Sequence, residues 1–170
     1  MYSVGNKVVH PCYGAGIIGR VQEKSIGDTS HIYYVIDTVA KAMQIMVPVN
    51  RADEMGLRHV GDDGVLRSQL DQCSVMPDDS EIESDLRARQ GAMREQLKSG
   101  DFTQVVQVVR VLFFMNSRRP LGTVDRQLMD QGKEMLASEL ALASDLEIDL
   151  ATQQVEDALA EMLKVEEEEE

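Results

Sequence analysis

The sequence predicts an α+β protein of two domains, a small bent β-sheet or barrel followed by an all-helical half. Three observations carry this. Up to Val49, apolar residues alternate over short runs broken by Gly, Pro and Asp, as in short strands. Beyond Asp63 the apolar period lengthens toward 3.6 residues, as in amphipathic helices. Pro77-Asp78-Asp79 interrupts both patterns and marks a junction.

Each strand has its own signal. Val8-Val9 opens the first, and Pro11-Cys12-Tyr13-Gly14-Ala15-Gly16 reads as a turn. Residues 17–23 form the second strand. Ile26-Gly27-Asp28 turns the chain, because Gly tolerates positive φ and Asp bonds its own backbone. Ile32-Tyr33-Tyr34-Val35-Ile36-Asp37 is β-branched and aromatic, which suits a pleated, half-buried surface. Residues 44–47 form the fourth strand, stopped by Pro48, which has no N–H to continue a ladder.

The helices follow in order. Residues 63–72 form a short helix, and residues 73–80 read as the linker between halves. Residues 81–98 carry Ile82, Leu86, Met93 and Leu97 along one side. Gly100 suits a C-terminal cap, and Asp101 an N-cap with Gln104 three residues on. Residues 102–115 present Val105, Val106, Val109, Leu112 and Phe113 to a core. Arg118-Arg119-Pro120-Leu121-Gly122-Thr123 breaks the pattern before a long helix over 124–143, apolar at Leu128, Met135, Leu136 and Leu140. Asp149 caps a last helix over 150–163, with Val155, Leu159 and Leu163 inward. Residues 166–170 are all glutamate and read as a disordered acidic tail. The expected boundaries are therefore a β domain over 1–60, a short helix and linker over 61–80, a helical domain over 81–165 and the tail over 166–170.

Composition excludes several classes. No apolar run approaches the ~18 residues that span a bilayer, and the first residues lack a signal peptide's apolar stretch, so a cytoplasmic protein with no membrane contact is expected. Cys12 and Cys73 form no CxxC pair and suit a reducing compartment as free thiols. His10, His31 and His59 show no ligand spacing with each other or with the cysteines, so no metal is expected. Gly14-Ala15-Gly16-Ile17-Ile18-Gly19 matches GxGxxG, but it runs into a β-rich segment where a dinucleotide site needs a helix. No nucleophile elbow or carboxylate pair stands out. The expectation is a non-enzyme with no catalytic residue and no cofactor.

Charge is uneven along the chain. The net of −13 divides into −6 over 1–86, +5 over 87–133 and −12 over 134–170. A basic island between acidic flanks presents a local potential that the total conceals. Arg87, Arg94 and Lys98 fall at i, i+7 and i+11, on one face of their helix. Arg89 projects about 160° away from Arg87 at about 100° per residue, which makes the cationic surface broad. Arg110, Arg118, Arg119 and Arg126 extend it if neighbouring helices pack alongside. Such a platform suits phosphate contacts that give affinity without sequence preference. The alternative is a solvated face balanced by Glu95 and the acidic last helix. Leu86 is open in the same way, between core packing and an exposed apolar wedge, and Met46 between core and surface.

In order and spacing the chain resembles the CarD/CdnL family of bacterial transcription regulators. The likeness rests on Val4-Gly5-Asn6-Lys7-Val8-Val9-His10-Pro11, Tyr13-Gly14-Ala15-Gly16, Met46-Val47-Pro48-Val49 and Gly56-Leu57-Arg58 with Val60 in the first half. In the second half it rests on Leu97-Lys98-Ser99-Gly100-Asp101, on Val108-Val109-Arg110-Val111-Leu112 and on Leu136-Ala137-Ser138-Glu139-Leu140-Ala141-Leu142-Ala143. It implies a Tudor-like N-terminal domain that binds the RNA polymerase β subunit, with Lys24, Ile26, Met46 and Pro48 matching the contact surface. It also implies a helical domain that touches promoter DNA and stabilises the open complex, with Arg89 and Arg126 matching its basic positions and Leu86 its wedge position. Arg87 and Arg94 of the cationic helix face complete the expected DNA-contacting set. Leu86 stands where the family has a DNA-wedging Trp, and Gly91 stands at a basic position. The function implied is transcription regulation by a monomer recruited through polymerase and steadied by weak DNA contact, mainly through phosphates. The alternative is a polymerase- or protein-interaction module of the same family with little or no DNA binding, because Leu lacks the ring face and N–H of Trp.

Overall fold

The computed structural model describes residues 1–170. Strands β1 (Lys7–His10), β2 (Gly14–Ile26), β3 (Thr29–Thr38), β4 (Gln44–Pro48) and β5 (Arg58–His59) build one antiparallel sheet in the order β4-β3-β2-β1-β5. Gly27, at φ 63°, closes the β2–β3 hairpin. The register slips between Ile18 and Arg20, a bulge at Gly19 that bends the sheet. The GxGxxG stretch is sheet throughout. Its continuation is β as expected, but Gly14-Ala15-Gly16, expected in the preceding turn, already pairs in β2. There a Cβ on Gly16 would lie 2.6 Å from the Asp37 carbonyl oxygen. The sheet stays open, with β4 and β5 at its two edges. One face buries Val8, Ile18, Tyr34, Ile36 and Val47 against Ala52 and Leu57.

Helices α1 (Asp63–Leu70), α2 (Leu86–Lys98), α3 (Phe102–Arg118), α4 (Thr123–Ser144) and α5 (Ile148–Glu169) share a larger core of 22 buried residues. It includes the expected faces of α3 and α4, among them Val105, Val109, Leu112, Leu128, Leu136 and Leu140. Gly100, at φ 67°, and Asp101, whose carboxylate accepts from the Thr103 N–H, make the α2–α3 turn as the sequence predicts.

Three helical expectations change. α2 starts at Leu86 instead of residue 81, because Asp85 caps it through the Arg87 and Ala88 N–H groups, while Asp79–Glu81 forms a short 3-10 turn. Residues 73–80 do not run free as a linker. Cys73 is fully buried in the helical core, and Arg110 bonds the Val75 carbonyl at 2.6 Å and the Glu81 carboxylate at 2.9 and 3.1 Å. α5 begins at Ile148, one residue before the expected cap Asp149, and continues through the glutamates to Glu169. Fully buried Met162 and an Arg118–Glu166 ion pair hold those last turns, so no disordered tail is seen.

The halves keep separate cores yet join firmly through α4. Val9, Ala15 and Leu142 form a small apolar junction. Across it the Ala15 N–H donates to Ser138 Oγ at 3.0 Å, and Lys7 Nζ donates to the Leu142 carbonyl and to Asp145, both at 2.9 Å. Arg58, from β5, bonds both carboxylate oxygens of buried Glu139 and the Gly100 carbonyl. Burial disfavours its charge, but the bonds to Glu139 outweigh this and raise its pKa.

Candidate functional site

Pairing register decides which sheet residues share a face, because opposed residues in an antiparallel ladder point the same way. Val35 opposes Met46 and Arg20, Tyr33 opposes Pro48 and Gln22, His31 opposes Lys24, and Thr29 opposes Ile26. Lys24, Ile26, Met46 and Pro48 therefore lie on one face. It is the face opposite the one that buries Val47, Tyr34 and Ile36. Met46 is thus outside the sheet core, which resolves its alternative readings toward the surface. Met46 and Pro48 are half-buried on edge strand β4, whereas Ile26, at the hairpin tip, is 71% exposed. Sequence reasoning did not gather Ile17 and Tyr33 into this surface; Val35, on the same face, is covered and only 1% exposed. The alternation of Tyr33 with buried Tyr34, and of Ile17 with buried Ile18, was the signal that could have placed them there.

The helical candidates separate into two kinds. Leu86, the first residue of α2, is 54% exposed, and Arg87, Arg94 and Arg126 are exposed. No carboxylate comes within ion-pair distance of Arg87, Arg94, Arg119 or Arg126. Arg94 and Lys98 flank a groove of ≈ 280 Å³ between α2 and α4, with Leu97 and Leu128 in its floor and Gln127 and Gln131 opposite. Flexible cations beside amides above an apolar floor can donate to phosphate oxygens without defining a base.

Arg89 does not belong to this set. It is 8% exposed and bonds Asp125 of α4 at 2.6 Å, and Gln90 bonds the other carboxylate oxygen at 3.2 Å. Arg89 precedes Met93 and Leu97 by one and two helical repeats of four, so it continues their buried stripe. A charge on that stripe needs a partner, and Asp125 supplies it. Its Nε has no hydrogen-bond partner. The cation expected to meet DNA instead clamps α2 to α4. Arg110 leaves the surface for the same reason, being buried on Glu81.

The histidines stay apart: His10 Nδ1 accepts the Cys12 N–H, His59 packs on Tyr2, and His31 is exposed. Burial pushes the His10 pKa down. No group of three or more His, Cys, Asp or Glu gathers to hold a metal, and no helix is long and apolar enough to cross a membrane.

Both halves have counterparts among known proteins. Residues 2–61 match the family model for the CarD-like/TRCF RID domain, and residues 74–156 match that for the CarD C-terminal domain. YdeB of Bacillus subtilis (strain 168), which bears the name of a candidate transcription factor, is 28% identical over 144 residues, covering 82% of this chain and 90% of that protein.

Proposed function

This chain belongs to the CarD family of transcription proteins, and on that premise we propose that it docks on the RNA polymerase β subunit through the outward sheet face while its unpaired arginines lean against promoter DNA. The observation that carries the reading is the shared face of Lys24, Ile26, Met46 and Pro48, held by the Arg58–Glu139 contact at a fixed setting from Arg87, Arg94 and Arg126. An edge strand offers unpaired backbone groups beside apolar Met46 and Pro48, and such an edge receives an extended partner segment. The arginines add a weak, sequence-independent attraction to phosphates.

The mechanism is thermodynamic. A protein that binds the open promoter complex better than the closed one shifts their ratio by that difference in affinity and by nothing else. No covalent step is needed, and no side chain is assigned a catalytic role. Exposed Leu86, with Arg87 beside it, is the natural apolar contact where the strands separate.

The test is the lifetime of open complexes on a model promoter with and without the protein, paired with capture of the polymerase β lobe. Wild type lengthens the lifetime; Met46→Ala and Pro48→Ala weaken capture and abolish the effect. Undiminished capture by both variants removes the assigned face.

A second reading, a polymerase-binding module with little DNA contact, is favoured by the withdrawal of Arg89 from the surface and by Leu86 in the wedge position. Gel shift on a forked promoter fragment at low salt separates the two. Absence of a complex selects the second reading.

A further inference from the structure

Chain ends of four helices converge on one end of the helical bundle. The Arg89–Asp125 and Gln90–Asp125 bonds bring the start of α2 beside the start of α4. The end of α3 is joined to the start of α4 by residues 119–122 alone. α5 returns to the same place, where Glu166 pairs with Arg118. Exposed Leu86, the unpaired Arg87, Arg119 and Arg126, and the glutamates of residues 166–170 therefore share one end of the molecule.

The last turn of α5 is electrostatically costly by itself. Glutamates at the C-terminal end of a helix meet the negative end of its dipole. Glu166 also stands at i, i+3 to Glu169 in the helix, and like charges at that spacing repel. What offsets this is the cation beneath. Arg118 sits between the Glu166 carboxylate and the Phe114 ring, its Cζ 4.9 Å from the ring centre. The start of the glutamate turn is thus held by Arg118, a cation that a phosphate backbone would also seek.

We infer that residues 166–170 act as a built-in polyanion mimic, occupying the cationic end of the bundle and competing there with nucleic-acid phosphates. The inference rests on the duplex-contacting reading above and adds its regulation. An intramolecular competitor needs only weak contacts, because tethering keeps its effective concentration high. Duplex binding that displaces the glutamates trades Arg118–Glu166 for arginine–phosphate contact, so the protein engages DNA firmly only when another attachment, such as polymerase, holds it in place. The arrangement turns unspecific attraction into attraction conditional on prior docking.

Two measurements on the full chain test this. The first needs no DNA: hydrogen exchange of residues 166–169 is compared between wild type and Arg118→Met. Faster exchange in the variant is expected; unchanged exchange overturns the tether. The second measures binding of a labelled random-sequence duplex over a salt series, using wild type and a variant with residues 166–170 all changed to Gln. Length and helix propensity are kept, so folding is preserved. The Gln variant is expected to bind about threefold or more tighter near ~50 mM salt, with a log–log salt slope steeper by about 1, because Arg118 is released to a phosphate. Equal affinity and slope for the two proteins overturn the competition while leaving the duplex contact standing. If neither protein binds the duplex at low salt, the duplex reading itself falls and the competition with it.

Discussion

Arg58, on the edge strand β5, reaches across the junction and closes a two-pronged ion pair with Glu139 of α4, at 2.7 and 2.8 Å. Glu139 also accepts the Gly61 N–H at 3.0 Å, and Arg58 also donates to the Gly100 carbonyl. One guanidinium and one carboxylate thus tie β5, the start of the helical half, the α2–α3 turn and α4 together. A planar fork is needed to satisfy all of these at once, and lysine cannot supply it.

Removing Arg58 leaves a carboxylate with a side chain only 3% exposed facing the junction with the Gly61 N–H as its remaining partner. Arg58→Ala is expected to cost about 3 kcal/mol, in the range for breaking a buried pair from one side. Urea unfolding followed by circular dichroism checks this. The cooperative wild-type transition splits, as the sheet loosens from the helices, while Arg58→Lys falls between the two.

Arg89 and Arg126, both expected at the duplex, part company in the structure: Arg89 is buried on Asp125, and Arg126 is exposed. Arg89→Met is expected to lower stability by about 3 kcal/mol, by leaving Asp125 buried without its cation, and to leave the slope of duplex affinity against salt unchanged. Arg126→Ala is expected to do the reverse, with stability nearly intact and the salt slope reduced by about 1. Thermal unfolding together with a salt series separates clamp from contact.

Acid should loosen the segment before α2 early. The Arg110 guanidinium, and then the Asp78 backbone N–H, hold the Glu81 carboxyl below its ordinary value of 4.5. A folded-state pKa below the unfolded one gives stability that is full above 4.5 and is lost as pH falls through the folded value. Glu81→Gln is therefore less stable than wild type at neutral pH and loses less between pH 4.5 and strong acid. Melting temperatures over a pH series give both halves of this expectation.

The two thiols should differ sharply. Cys12 is exposed, whereas burial pushes the Cys73 thiol up to about 12. A colorimetric thiol reagent at mildly alkaline pH is expected to titrate one cysteine in the native protein and two after denaturation, with Cys12→Ser removing the native signal.

Much of the architecture was legible because local chemistry and tertiary packing agree. Ile32 to Asp37 is β-rich and lies within strand β3, paired on both sides; Gly100-Asp101 has the composition of a helix-to-helix turn and forms one. The misreadings occur where a residue's neighbours come from afar. Arg89 shares a stripe with Met93 and Leu97, but its burial depends on Asp125, thirty-six positions on. Leu86 points along nearly the same direction as Met93, yet side chains in a first turn lean past the helix end, so it emerges into solvent. Cys73 looks like linker because only the folded core shows what covers it. The glutamate run looks unstructured because its stabilising cation belongs to α3. The outward set of the sheet lies between these cases: period-two alternation gives the face of each strand, and only the register of β3 with β4 unites them.

Strand β4 is five residues long and ends at Pro48 on an otherwise unprotected margin. Pairing along such a margin can run no further than Pro48, since the imino residue withholds the next donor. Recruitment of one extended segment is thereby compatible with resistance to fibril growth, a protection that a longer, proline-free border would forfeit.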